Sequence, residues 1–334
     1  MSSGLQSQFS YSANQAAYAT TTATTKFPRV ASFKLERVAN RVQSNGIQPG
    51  VFGPVASLFG ETTSAATGQF QGAVESKAWG GLFELLMGSS TSAQQGGGAA
   101  YLETFTLADP VGKFRTFQGA RPVRAGTKVP ATLTGGKITQ AEFSCSVGEL
   151  LTASMTIDGR SWDNTTALDA GASYVTAPAG CGVFSWNQMA VKLGTYGAEA
   201  AVTGVKGMTA SISRGMDTEA YYANAAGVKV EPVLNELAAI TGTIQADWLA
   251  KATFEDVAAT TSTTSMVWEF VSTTAIATTY YWTWRLVIPG IGLEPATQGV
   301  DGPSELTNDW AWSWRYDGTN LPKIEILTTD TSVG

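Results

Sequence analysis

The feature that most constrains the fold of this chain is a series of short runs in which apolar and polar residues alternate. Such runs occupy residues 32–37, 138–147, 152–157, 265–271, 280–288 and 321–328, and glycine, proline, asparagine and aspartate separate them. Runs of this length, rich in threonine, valine, isoleucine and aromatic residues, are typical of strands with one buried face. The sequence therefore predicts a mainly β fold.

Two segments depart from this pattern. Residues 75–87 carry apolar side chains at helical spacing and end before Gly88, which is a common helix stop. Residues 249–259 carry a looser version of the same spacing. Each segment predicts one short helix that depends on packing against a sheet, because isolated helices of this length are unstable in water.

The two predicted helices have matching surroundings. Thr-Gly-Gln-Phe-Gln at 67–71 precedes the first, and Thr-Gly-Thr-Ile-Gln at 241–245 precedes the second. Further downstream, Leu102 and Phe105 match Val267 and Phe270 in spacing. This self-similarity predicts an internal duplication, with chance similarity as the alternative.

The duplication sets the expected domain organisation. We expect a flexible N-terminal arm at 1–29, a first copy at 30–163, a linker at 164–182 and a second copy at 183–334. The arm carries neither the basic leader nor the apolar core of a signal peptide, and the chain contains no apolar run long enough for a membrane helix. We therefore expect no membrane partner.

Composition limits the possible chemistry, because the chain contains no histidine. Ser-His-Asp catalysis, Cys-His catalysis and histidine-ligated zinc are thereby excluded. Cys145 and Cys181 are too few for a disulfide framework or a thiolate metal site, and they are interpreted as reduced structural thiols. No phosphate-binding or dinucleotide-binding fingerprint joins a strand to a helix. We expect a protein without catalytic residues, metal or cofactor, and not an enzyme.

Tryptophans at positions 310, 312 and 314 alternate with Ala311, Ser313 and Arg315. Because residues two apart in a strand share a face, the tryptophans form one aromatic stripe. We interpret this stripe as buried, since exposed apolar stripes of that size are uncommon. A carbohydrate-binding or adhesion module that stacks sugars on the stripe is the alternative. The small and polar side chains of the opposite face are candidates to line a channel, namely Ala141, Ser144, Ser146, Ala311, Ser313 and Arg315.

Charge is scarce and unevenly placed. Charged residues make up 14% of the chain and its net charge is −6, which favours packing against copies of itself over binding of phosphate backbones. Residues 110–141 contain bases and no acid, whereas residues 286–314 contain acids and no base. Attraction between such hairpins of neighbouring subunits would set their register, and two unrelated solvated loops are the alternative. The candidate contact residues are Arg121, Arg124, Lys128, Glu294, Asp301 and Glu305.

The order of elements resembles that of the major tail (tail tube) proteins of bacteriophages with long, non-contractile tails. The likeness spans about residues 30–330. It rests on the Thr-Gly strand that opens into a short helix at 241–259, on a long hairpin, and on Tyr316-Asp317-Gly318 before a terminal strand that ends in Thr328-Thr329-Asp330.

This resemblance implies two tandem β-sandwich or half-barrel domains, each with one flanking helix, that join neighbours into a closed β-barrel ring. It implies a structural virion protein whose trimers form pseudo-sixfold rings, or a plain hexamer if the repeat is spurious. Rings would stack into a tube through which DNA passes without specific binding. The implied partners are other copies of the chain and the tape measure, tail terminator and tail tip proteins. The implied location is the virion tail, after assembly in the host cytoplasm.

Overall fold

A computed structural model describes residues 7–123, 127–169, 174, 182–223, 226–247, 253–277, 279–295 and 307–331. It confirms the mainly β fold. The elements of the first half (residues 7–169) are β1 Gln8–Ser12, β2 Thr24–Lys26, β3 Ser32–Gln43, β4 Phe59–Ala73, α1 Gly80–Met87, β5 Thr91–Gln94, β6 Tyr101–Thr106, β7 Arg115–Pro122, β8 Lys128–Ser146, β9 Thr152–Gly159 and β10 Ser161–Asp163. Those of the second half (residues 182–331) are β11 Met189–Gly194, β12 Ala200–Ala201, β13 Val205–Ser213, β14 Ala239–Asp247, α2 Glu255–Ala258, β15 Thr264–Ala277, β16 Tyr280–Leu293, β17 Thr307–Trp314 and β18 Lys323–Thr328.

All of these strands belong to one open, hydrogen-bonded network. Eight of them form an antiparallel row in the order β3–β4–β9–β8–β13–β14–β17–β16, which we call the long row. The junction between β8 and β13 joins the first half to the second, and it pairs seven consecutive residues from Gly207–Ser146 to Ser213–Gln140. The two halves therefore share one continuous sheet.

Two long strands each serve two layers. The beginning of β8 pairs with β7 and β10, whereas its end pairs with β9 and β13. In the same way, the middle of β16 pairs with β18, and its last residues pair with β17. The remaining strands form a second layer. In the first half it contains β2–β1–β7, with β10 beside β8, and in the second half it contains β12–β11–β15. Strand β18 of the second half pairs with the first-half strands β6 and β5 in the order β18–β6–β5.

The core of the first half lies between these layers. The ring of Phe9 in β1 lies 5.6 Å from Phe33 and 4.9 Å from Phe70, measured between centroids. Every residue of β1 is buried, and the Tyr11 hydroxyl donates to the Ala78 carbonyl at 2.8 Å. The segment expected to be a flexible arm thus contains a core strand, because its alternating aromatic residues fill the space between the sheets.

The core of the second half is built around tryptophan. Trp284 contacts Trp268 edge to face at 5.6 Å and contacts Phe143 of the first half at 5.5 Å. Trp310 and Trp312 are 1% and 2% exposed, and Trp310 stacks on Phe254 beside α2. The expected buried stripe is confirmed for these two residues. A sugar-stacking platform is wrong for them, because the same side chains supply the apolar core.

Both predicted helices are present in shorter form. Helix α1 is completely buried and starts at Gly80 rather than at Glu75. It ends as expected at Gly88, whose positive φ of 94° lets its amide bond back to the Glu84 carbonyl. Helix α2 covers only Glu255–Ala258, and residues 249–252 of the predicted helix lie outside the described residues.

The Thr-Gly repeats occupy matching positions in the long row. Gly68 lies opposite Leu35 on one side and Ile157 on the other, and Gly242 lies opposite Ala210 and Trp312. A Cβ at Gly68 would meet Leu35, and one at Gly242 would meet the Thr209 carbonyl and the Trp312 ring. Glycine therefore gives the large side chain of a neighbouring strand room to cross at the same place in each half.

The downstream part of the expected repeat needs correction. Leu102 and Phe105 lie in β6, which pairs with β5 and β18. Val267 and Phe270 lie in β15, which pairs with β16 and β11. The first-half strand with the equivalent neighbours is β7, between β8 and β1. Spacing alone misled because any two amphipathic strands repeat their apolar residues at similar intervals.

Candidate assembly surfaces

One face of the long row packs on the core, and the other, which we call the polar face, is covered by hydroxyl and amide side chains. These are Thr67, Gln69, Gln71, Gln140, Ser144, Ser146, Thr152, Ser154, Thr156, Thr209, Ser211, Thr241, Thr243 and Gln245. Charges near its β3 edge neutralise each other, since Lys34 and Glu36 form an ion pair of 2.7 Å. Two exposed acids, Glu142 and Asp309, also lie on this face, so it is broad, mostly uncharged and slightly acidic.

Hydroxyl groups bond to one another across the strands of the polar face. Ser144 and Thr152 hydroxyls lie 2.8 Å apart, as do those of Thr209 and Thr243. Such bonds satisfy the polar groups within the sheet and hold the side chains down along the surface. The result is a wettable surface with little fixed charge.

The structure places four of the six channel-lining candidates on the polar face. Ser144 lies opposite Thr209, Thr209 lies opposite Thr243 of β14, and Thr243 lies opposite Ala311. Ser144 and Ala311 therefore lie on one line across the strands. Ser313 lies two residues after Ala311 in β17, and Ser146 lies two residues after Ser144 in β8, so both share this side of the sheet. Arg315 follows the end of β17 and is exposed, 3.9 Å from Glu294.

Ala141 does not share this face. It is fully buried, because its position differs in parity from Ser144 and Ser146 along the same strand. The interpretation of Ala141 as a channel-lining residue is therefore wrong.

The residues of the charge hypothesis are only partly described. Arg121 and Lys128 lie at the adjoining ends of β7 and β8, and the Arg121 guanidinium stacks over Trp162 at 5.8 Å. Within the described part of the chain, neither has an ion-pair partner. Glu294 follows β16, and its carboxylate is 61% exposed. Arg124, Asp301 and Glu305 lie outside the described residues, and the contacts between subunits stay a prediction.

An open edge borders the first half. Among the described strands, β3 pairs only with β4 and leaves its other side free. A groove of about 800 Å³ follows this edge, and we call it the β3 groove. Apolar side chains of Phe9, Val30, Phe33 and Leu35 line its floor, and Lys34 and Arg121 lie on its rim.

A buried ion cluster fixes α1 against β7. The Glu84 carboxylate accepts from Arg115 at 2.5 Å, from Lys113 at 2.9 Å and from Ser90 at 2.9 Å. Burial by itself raises the pKa of Glu84, but these hydrogen bonds outweigh it and hold the pKa below its usual value. Arg115 also donates to the Ser12 carbonyl at 2.7 Å, so the cluster ties β1 to the helix.

A second set of buried charges secures the connection between β13 and β14, residues 214–238, which we call the docked connection. Lys229 binds Asp158 at 2.6 Å, and Glu231 binds Lys137 at 2.6 Å. Burial raises the pKa of Asp158 to about 6 even though Lys229 acts against it. Residues of the second half thus lie over the first half, reaching as far as β4, where the Ser64 amide donates to the Gly227 carbonyl at 2.8 Å.

Sequence reasoning missed both ion sets. The only signal was a run of bases, including Lys113, Arg115 and Lys137, without acids nearby in the chain. Buried bases require carboxylate partners, and here those partners come from distant segments. Part of the basic run therefore serves the inside of the molecule rather than a contact between subunits.

Cys145 is a buried free thiol, and burial raises its pKa to about 11. Cys181 lies outside the described residues. Over the described ranges, no three acidic or cysteine side chains come together as a metal site. None of the helices in those ranges combines the length and the apolar character that crossing a membrane requires.

The open edge of β3 presents unpaired backbone groups, a feature of proteins that associate through their sheets. A family model described as phage tail tube protein matches residues 4–313 of this chain. The chain therefore belongs to the phage tail tube protein family, a structural family of the virion tail. No curated protein matches the chain.

Proposed function

We propose that this protein is a major tail tube subunit whose copies join edge to edge into stacked rings around a channel for phage DNA. The observation that carries the proposal is the junction of β8 with β13. Within one chain, two sheets of the same strand order already join side by side. A further junction of the same kind between chains would extend the row and close it into a ring.

The order of pairing supports two tandem copies of one domain. The first half runs β3–β4–β9–β8 and the second runs β13–β14–β17–β16. The strand before the long strand has an equivalent partner in each half. Strand β7, which precedes β8, pairs with β1, and β15, which precedes β16, pairs with β11. We therefore place the start of the first copy at β1 rather than at residue 30. Three chains would then supply six similar domains to each ring.

The free side of β3 is the proposed site of ring closure. Its counterpart β13 uses the same side to pair with β8. An unpaired strand edge exposes amide and carbonyl groups that readily accept another strand. Arg121 on the rim of the β3 groove favours an acidic neighbour, because it has no ion-pair partner among the described residues, whereas Lys34 is paired with Glu36. The base-free stretch of the second half supplies acids through Glu294, Asp301 and Glu305.

The polar face is the proposed channel wall, with Ser144, Ser146, Ala311 and Ser313 facing the lumen. A wall of hydroxyls and amides gives DNA phosphates few cations to bind, so the polymer can slide. In this role the protein needs no catalytic residue, metal or cofactor. Its partners are other copies of itself and the tape measure, terminator and tip proteins of the tail, assembled in the host cytoplasm.

Electron microscopy and light scattering of the purified protein test the proposal. We expect rings with threefold symmetry or hollow tubes at high protein concentration. Replacing Lys34 and Arg121 with Glu should abolish them and leave a folded monomer, whereas the matched replacement of Lys206 with Glu on β13 should not. A wild-type protein that stays monomeric at millimolar concentration would overturn the proposal.

A further inference from the structure

A cavity of about 290 Å³ lies on the second layer, where hairpins of the two halves meet. The β5–β6 hairpin belongs to the first half, whereas the β15–β16 hairpin and β18 belong to the second. The floor of the cavity is one line of half-buried and buried residues across four strands, namely Leu102, Leu327, Thr283 and Val271. Trp284, the next residue after Thr283, is in the core, so the floor faces away from the core.

Two consecutive tyrosines form one wall of the cavity. Tyr281 is 40% exposed. The Tyr280 ring lies against Gly96 in the turn of the β5–β6 hairpin, where an added Cβ would come 3.1 Å from the ring. Glycine at this place lets the hairpin of the first half pack closely on the tyrosine, which fixes the wall in position. An aromatic wall of this kind offers flat, weakly negative ring faces to the C–H groups of a ligand.

The wall on the other side of Thr283 is charged but balanced. Arg285 and Glu325 line it, and the Arg285 Nη1 and Glu325 Oε2 atoms are 3.7 Å apart, which is longer than a hydrogen bond. Glu269 binds the Arg285 Nε atom, and the Lys323 Nζ atom lies 2.7 Å from the second carboxylate oxygen of Glu325. Both groups are therefore held in place and keep bonding capacity toward the cavity.

These features identify the chemical class of ligand. The volume lies just below the range of about 300–1,000 Å³ that is usual for drug-sized ligands, so the cavity suits a smaller molecule. One base and one acid line it, which disfavours phosphates and other strongly charged groups. Aromatic rings on one side, with the Gln95 amide, a guanidinium and a carboxylate around them, match a molecule with apolar faces and hydroxyl groups at its edges. A neutral sugar has this distribution.

We propose that this cavity binds a neutral sugar unit, with one face of the sugar ring on Tyr281 and its hydroxyl groups bonded to Arg285 and Glu325. The site is separate from the tryptophan stripe, which is buried in the core. Binding does not depend on ring formation. In rings built as proposed above, the cavity would lie on the outside of the tube, because the core separates it from the polar face. A surface that carries many copies of the sugar would then hold a tube through many weak contacts.

Saturation-transfer difference NMR with the purified protein tests the site. The probes are glucose, galactose, mannose, rhamnose and N-acetylglucosamine, with glucuronic acid as a charged counterpart. We expect a Kd of about 1 mM for the best neutral probe, as is reasonable for a ligand of few atoms, and weaker binding of glucuronic acid. The inference is overturned if none of the neutral probes binds at about ten times that concentration, or if glucuronic acid binds best.

Tyr281→Ala assigns the binding to this cavity. Removal of the ring should weaken binding of the best sugar about tenfold or more, because aromatic anchors supply much of the affinity of a site. The melting temperature and ring formation should stay as in the wild type, since Tyr281 is exposed on the face away from the core and the polar face. Tyr222→Ala is the matched control, because Tyr222 is 66% exposed and lies outside the cavity.

The variants also separate this inference from the proposed function. Equal affinity of Tyr281→Ala and the wild type for the sugar would overturn the inference, as would an equal loss in Tyr222→Ala. A wild type that binds the sugar but forms no rings would support the sugar site and remove the proposed function.

Discussion

The two halves of this protein reach the same strand order by different means. The first half ties its elements together with buried ions, the Glu84–Arg115 cluster and the Lys229–Asp158 pair. The second half relies on stacked tryptophans, and its main ion network around Glu269 joins side chains that are about one third exposed, Lys192 and Arg285. The order of strands therefore does not determine whether ion pairs or aromatic packing stabilise the sheet. Buried ions occur where the first half must hold segments from distant parts of the chain.

The largest effect should come from the tryptophan core. Trp284→Ala would remove a fully buried ring that contacts Trp268, Phe270 and Phe143. We expect a loss of about 4 kcal/mol in the free energy of unfolding, as for other large-to-alanine core changes. Urea denaturation measures it. Because Phe143 belongs to the first half, both halves should unfold together, and two separate transitions would show that the halves are independent.

Paired substitutions at Glu84 and Glu269 would sharpen the comparison. Glu84→Gln removes the carboxylate that binds the fully buried Arg115, and we expect a loss of about 3 kcal/mol in the free energy of unfolding. Glu269→Gln should lose only about 1 kcal/mol, because water reaches both of its partners. Equal losses in thermal or urea unfolding would show that the two halves use their ions in the same way.

A smaller, pH-dependent effect is expected where the halves meet at β6 and β18. Glu103 lies opposite Ile326 there, and burial with the nearby Asp330 raises its pKa to about 7. Folding therefore favours the protonated acid, so its ionisation weakens the fold as pH rises from about 4.5 to 7. Glu103→Gln should add about 2 kcal/mol at pH 8 and almost nothing at pH 4. Stabilisation that is the same at both pH values would contradict this assignment.

Much of the fold could be predicted because strands and helix ends depend on the residues close to them in the sequence. Alternation located the strands, Gly88 marked the end of α1, and the Thr-Gly repeats marked matching strands in both halves. Phe9 and Tyr11 also alternate, but a short strand flanked by small polar residues has the composition of a flexible arm. Its burial depends on the distant partners Phe70 and Phe117.

The candidate surfaces were harder to predict. Side-chain parity placed Ser144, Ser146, Ala311 and Ser313 on one face, since it needs only strand periodicity. The pairing of Lys229 with Asp158, and the exposure of Ile47 and Phe52, depend on where connections travel across the sheet. Short-range sequence patterns carry no information about such paths, and the contacts of Arg124, Asp301 and Glu305 stay predictions.

The two strands of the β8–β13 junction belong to the same chain, and this determines how the assembly responds to dilution. Strands in one chain meet at an effective concentration fixed by the chain itself, so this junction forms during folding however scarce the protein is. In a closed ring of such chains, only alternate junctions would have to form by collision. Dilution of the rings would then release whole chains in which the two halves are still joined, never separate halves.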